Sequence, residues 1–195
     1  MKQAKFGWWL ATALLAAAPA AAQDKPKLLP DRDVDLTYTV SAQGTTAAKA
    51  DKPITQRVRW LAADHMQRID GPGDTVVLAD RATSYITIVS SRTKSYIKLD
   101  APAGGVFNPD QHAAFTRGDA SSVAKTACTD WKWLDADTKK PRTLCATDDG
   151  VVLRMTEDGR TLAEATAVTY RTVKPQTFQV PHGYEPSPAL DGATE

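Results

Sequence analysis

Polar and apolar residues alternate along much of this chain. Val34, Leu36, Tyr38 and Val40 alternate with Asp35, Thr37 and Thr39, and that period of two predicts a half-buried strand. Ile54, Val58 and Trp60 mark a second strand. Residues His65–Asp70 mark a third, with Gly71-Pro72-Gly73 turning it. Thr75–Ala79, Ser84–Val89 and Lys94–Leu99 follow at short, regular spacing. Such spacing predicts antiparallel pairing in a sandwich or barrel rather than βαβ units. One stretch departs from the pattern. Asn108, Pro109 and Asp110 suit a helix start and Gly118 a stop. Residues 109–117 therefore read either as a short helix carrying Phe115 or as an irregular loop.

The C-terminal half permits a register argument. Asp149-Gly150 and Asp158-Gly159 both read as type I′ hairpin turns. The second pairs Met155 with Leu162; the first pairs Leu144 with Met155, and Ala146 with Leu153. With Cys128 set opposite Cys145, one face of four strands carries Trp131, Trp133, Leu144, Val151, Leu153, Met155, Leu162, Val168 and Tyr170. The other carries Asp130, Lys132, Thr143, Thr147, Arg154, Thr156 and the cystine. The same parity puts Glu164 on the apolar face. Upstream, pairing Val89 with Lys94 puts Ile86, Ile88, Ile97 and Leu99 together.

A wide sheet with one apolar face must cover it. With at most one short helix to hand, curling is the economical solution. The expected fold is mostly β: a single curved antiparallel sheet, half-barrel or barrel, with one or few short helices. Its interior has two readings. It is an apolar ligand cavity lined by Trp131, Trp133, Leu144, Leu153, Met155, Leu162 and Tyr170, or those side chains and Trp60 fill it.

The N-terminus has its own logic. Lys2 and Lys5 precede an uncharged run from Phe6 to Ala18, then Pro19 and Ala20-Ala21-Ala22. This predicts a secretory signal peptide cut between Ala22 and Gln23. The run is shorter than the ~20 residues a bilayer span needs. The expected organisation is a signal peptide at 1–22, a linker at 23–32, a β domain at 33–184 and a flexible tail at 185–195. The product would be periplasmic or secreted, with no membrane span after cleavage. In such an oxidising compartment Cys128 and Cys145, the chain's two cysteines, should form a structural disulfide.

Composition narrows the function. A chain of 195 residues suits one domain. Its 24 Lys+Arg nearly cancel 23 Asp+Glu, which argues against nucleic acid. No nucleophile-elbow, zincin, phosphate-loop or dinucleotide-binding motif is present. His65, His112 and His182 lack metal-ligand spacing, and Asp31/Asp33, Asp135/Asp137 and Asp148/Asp149 suit turns. No cofactor or metal is expected, and the protein reads as non-catalytic.

The segments QRVRWLAADHMQRIDGPGDTVVLAD, SYITIVSSRTKSYIKLD, CTDWKWLD, LCATDDGVVLRM and FQVPHGY occur in that order. In layout the chain resembles the periplasmic lipoprotein-carrier-like (LolA-like) superfamily, and within it a bacterial domain family of unknown function, over about residues 33–184. The resemblance implies a curved antiparallel sheet wrapped round a plug of helix or loop, with a concavity that holds acyl chains in the better-known relatives. The chain departs from those carriers in its sparse helix, its lack of a lipid-anchor cysteine and its added disulfide. Function is then expected to be binding of an apolar ligand, a lipid or lipidated protein. The alternative is an envelope interaction or assembly module with a filled core and no ligand.

Overall fold

The computed structural model describes residues 25–41, 52–71, 73–101 and 112–187. The expected signal peptide and its Ala22–Gln23 junction lie outside these residues. Among the described residues one sheet holds β1 (Val34–Val40), β2 (Ile54–Leu61), β3 (Met66–Asp70), β4 (Thr75–Asp80), β5 (Tyr85–Ser90), β6 (Ser95–Asp100), β7 (Thr116–Val123), β8 (Thr126–Leu134), β9 (Pro141–Ala146), β10 (Val152–Glu157), β11 (Arg160–Tyr170) and β12 (Glu185–Pro186). Their order is β12-β6-β5-β4-β3-β2-β1-β11-β10-β9-β8-β7. Two meanders thus meet where β1 pairs with β11. All pairings are antiparallel except that of β12 with β6. The sheet is curled but not closed. Arg154 on β10 reaches across β9 and β8 to Ser121 on β7, Nη2 to Oγ 3.3 Å. The mostly-β, curved antiparallel architecture is the one the alternation predicts.

Local chemistry explains the turns. The loops before β3, β5 and β6 each span four residues and end at a left-handed residue: His65 (φ 52°), Ser84 (φ 59°) and Lys94 (φ 50°). The alternation has each of these beginning a strand; each instead completes a turn. The Val89–Lys94 pairing is corrected accordingly: Val89 faces Tyr96. This shift by two keeps Ile86, Ile88, Ile97 and Leu99 on one face. Asp158 (φ 49°) and Gly159 (φ 74°) form the expected I′ turn. Ala124 (φ 48°) and Lys125 (φ 63°) have the same left-handed pair with neither Asn nor Gly to announce it.

Three further registers differ from expectation, and bulges explain two of them. A shift between Met155 and Thr156 sets Met155 opposite Ala163, not Leu162. Glu164 consequently pairs with Arg154 and leaves the apolar face. A shift between Val152 and Arg154 sets Ala146 opposite Val152, not Leu153. The Asp149-Gly150 turn is not type I′, since only Gly150 is left-handed. Thr147 closes a wider loop there, its hydroxyl accepting from the Val151 N–H at 2.9 Å. Leu144 does face Met155. Finally, Cys145 faces Asp130 rather than Cys128, a slide of two residues that preserves the faces of β8.

Residues 112–117 are not helical: 112–115 form a turn and coil, and Thr116 and Arg117 begin β7. The remainder of the expected 109–117 helix lies outside the described residues. The stretch read as a linker is packed, with Pro26, Leu28 and Pro30 buried. Beyond the expected boundary at 184, Glu185 and Pro186 pair with Ser95 and Tyr96.

Candidate functional site

The registers of β1–β6 define two apolar ladders on one face. One runs Leu36, Val58, Ile69, Val77, Ile88, Ile97; the other runs Val34, Trp60, Gln67, Ala79, Ile86, Leu99. Alternation within each strand puts them on that face, and antiparallel pairing brings them side by side. Burial declines along both. Val34, Leu36 and Val58 are wholly buried, whereas Ile69, Val77, Ile86, Ile88, Ile97 and Leu99 are partly exposed. Gln67 is the one polar group within the ladders and is buried. The opposite face of β3–β5 is capped by the chain's C-terminal segment. Phe178 packs with Leu61 and Val173 there. A cleft of about 170 Å³ remains between Arg68, Val76, Leu78, Val89, Pro181 and Tyr184.

The seven residues expected to line a cavity fall into two groups. Trp131, Trp133, Leu144, Met155 and Leu162 form one buried cluster with Leu28, Ala113 and Phe115. Phe115 leans on Trp133, ring centroids 5.2 Å apart. Leu153 belongs to the main core with Val34, Leu36, Tyr38 and Trp60, and Tyr170 packs at its margin. The registers nevertheless keep both groups on one face, since Trp131 faces Leu144, Leu144 faces Met155, Met155 faces Ala163, and Ala163 faces Val40 of the main core. Cys128 and Cys145 are bonded. The cystine lies on the face opposite Trp131, but that face is not an exposed polar one there. Cys145 is wholly buried, in the main core.

Polar contacts fix the rim. Tyr170 donates to Asp149 at 3.0 Å, and Arg32 sits 4.0 Å over the Tyr170 ring while pairing with Asp149. Burial pushes the Asp149 carboxyl up, yet hydrogen bonds from Thr147, Arg32 and Tyr170 outweigh it and hold it below the usual range. Burial, with the Asp149 carboxylate beside it, raises the Tyr170 phenol. The Tyr38 hydroxyl, raised by burial, donates to the Val152 carbonyl at 2.5 Å. On the outer face Asp35 is held by Arg57 and Arg171. The Arg57 hydrogen bonds keep its carboxyl below the ordinary value. His65 and His182 sit in separate exposed turns. Among the described residues no group of three or more His, Cys, Asp or Glu gathers as a metal site would, and no helix is long and apolar enough to cross a membrane.

Alternation puts Ile86, Ile88, Ile97 and Leu99 together, but only the long-range registers join them to Val58 and Trp60 as continuous ladders.

No protein-family model and no curated protein matches the chain. Solved structures do. The chain is similar to an uncharacterised conserved protein from Thermus thermophilus, with a TM-score of 0.56 and 9% identity over 80% of this chain and 90% of that one. It also aligns with PNGF-II, at TM-score 0.49 and 11% identity over 80% of this chain and 30% of that one. MucB, solved in complex with MucA(peri), aligns at TM-score 0.45 and 15% identity over 77% and 55%. The Thermus likeness shows a shared curled-sheet fold at a distance, and at that identity it speaks for the fold alone.

Proposed function

We propose that this is a non-catalytic protein of the bacterial periplasm that holds an apolar ligand, a lipid or the acyl part of a lipidated protein, against the apolar face of β1–β6. The carrying observation is the pair of ladders, continuous across six strands and half-covered at the β4–β6 end. Full burial of an Ile or Leu side chain is worth about 1.5–3 kcal/mol relative to exposure. Five partly exposed ones, together with Val77, therefore favour an apolar occupant. The strand layout that resembles the LolA-like superfamily supports the same reading. The N-terminal pattern and the cystine support an oxidising compartment.

A second reading, an interaction module without ligand, draws on the Trp131–Trp133 cluster, which its own neighbours fill. Native mass spectrometry of protein purified from the cell envelope separates the two. The ligand reading expects a co-purifying acyl mass, or uptake of added fatty acid by the stripped protein. A clean apo mass that no fatty acid changes leaves the module.

A further inference from the structure

A groove of about 440 Å³ runs over the outer face of β11, β1 and β2, lined by Asp35, Thr37, Arg57, Ala167, Thr169 and Arg171. Its chemistry is unlike that of the apolar face behind it. Asp35 is nearly buried, at 9% exposure, and both guanidiniums converge on it. Arg57 donates Nε at 2.8 Å and Nη2 at 2.6 Å, and Arg171 donates Nη2. The side chains of Arg57 and Arg171 are otherwise open, at 44% and 51% exposure.

One carboxylate facing two guanidiniums leaves a net positive charge at the groove. Arg59 and Arg68 share Asp70, and Asp33 gives its carboxylate to the Ala62 and Val173 N–H groups, so four arginines stand against three carboxylates around the groove. Among the described residues, Arg59 Nε is buried with no acceptor, and Arg57 Nη1 and Arg171 Nη1 and Nε meet none after the Asp35 contacts. Thr37 and Thr169 add hydroxyls to the lining. The strands fix the base of the groove, and Asp35 fixes both forks, so little side-chain freedom remains to be lost on binding.

We propose that this groove is a binding site for a phosphate-type oxyanion, gripped by Arg57 and Arg171. The preference over a carboxylate follows from acceptor count. A phosphate presents three or more oxygens and can meet both forks and a hydroxyl at once; a carboxylate has only two. The anion is either free phosphate or a phosphate headgroup. The site stands independently of the apolar-ligand reading, since it lies on the other face of the sheet.

The test is calorimetric titration of the full chain with inorganic phosphate at constant ionic strength. It is paired with co-sedimentation on phosphatidylcholine vesicles with and without phosphatidic acid. Wild type should bind in one or both assays saturably. Arg171→Gln should weaken that binding by about tenfold or more, as loss of a charge-assisted fork does. Arg92→Gln, the same charge change at the β5–β6 loop, should leave it unaltered. Arg171→Lys keeps the charge and loses the fork. It carries the same prediction at smaller size, so a folding defect in Arg171→Gln does not decide the matter. Binding to phosphate alone assigns a free anion; selective sedimentation with phosphatidic acid assigns a headgroup. Absence of both in wild type, or equal losses in Arg171→Gln and Arg92→Gln, overturns the site.

Discussion

The carbonyl oxygen of Leu29 occupies the place where a side chain at residue 150 would begin: a Cβ built on Gly150 would lie 2.3 Å from it. Gly150 also holds φ at 94°, which L side chains rarely adopt. The contact seats the N-terminal segment over the β9–β10 loop, where the Asp31 N–H also donates to the Asp149 carbonyl at 2.9 Å. Gly150→Ala should therefore cost about 2–4 kcal/mol, combining backbone strain with a forced displacement. Urea unfolding checks this. A loss of only a few tenths would show that the segment is not held there.

The tryptophan cluster yields a second expectation. Trp131 is 4% exposed and Trp133 6%. Replacing either by Ala should destabilise by about 3–5 kcal/mol, the range for large-to-small changes in a filled core. A lining of an open cavity would lose less stability and alter binding of an apolar fluorescent probe more. Measuring both quantities on each variant distinguishes filling from lining.

Asp35 makes stability depend on acid. Its carboxyl is held below the ordinary value chiefly by hydrogen bonds from Arg57, with Arg171 adding to them. A depressed folded-state value gives a contribution that is complete above the unfolded value of about 4 and is lost as pH falls through the folded one. Asp35→Asn should thus be less stable than wild type at neutral pH, by a gap that stays constant down to about pH 5 and narrows below pH 4. Thermal unfolding of both proteins across that range tests it. A gap that widens on acidification would contradict the assignment.

These features were unequally legible in the sequence. Strict alternation in Val34–Val40 and the isoleucines of β5 and β6 fixed the strand positions and faces, because a period of two survives a register slide of two. Met155, Val168 and Tyr170 lie on the expected face, but the partners of Ala146 and Met155 and the side taken by Glu164 were not readable. A bulge adds one residue and reverses parity, and nothing in the side chains there announces it. β7 was missed altogether. Its sequence TRGDASSV lies on a sheet edge with most side chains exposed, so no burial imposes an apolar pattern. The Arg57–Asp35–Arg171 groove joins residues far apart in the chain, and only the β1–β11 and β1–β2 registers bring them together.

The most direct test of the account uses Trp60 as a reporter within the ladders, where it faces Val34 and Gln67. In a chain produced from Gln23 onward with Trp131 and Trp133 changed to Phe, Trp60 is the remaining tryptophan, since Trp8 and Trp9 lie within residues 1–22. Titration with a fatty acid brominated along its chain should quench Trp60 saturably, because bromine quenches only at near contact. Ile88→Asp, which puts a charge into the adjoining ladder, should abolish that quenching. Fluorescence unchanged by the brominated acid, or quenching that Ile88→Asp leaves intact, would contradict binding on this face.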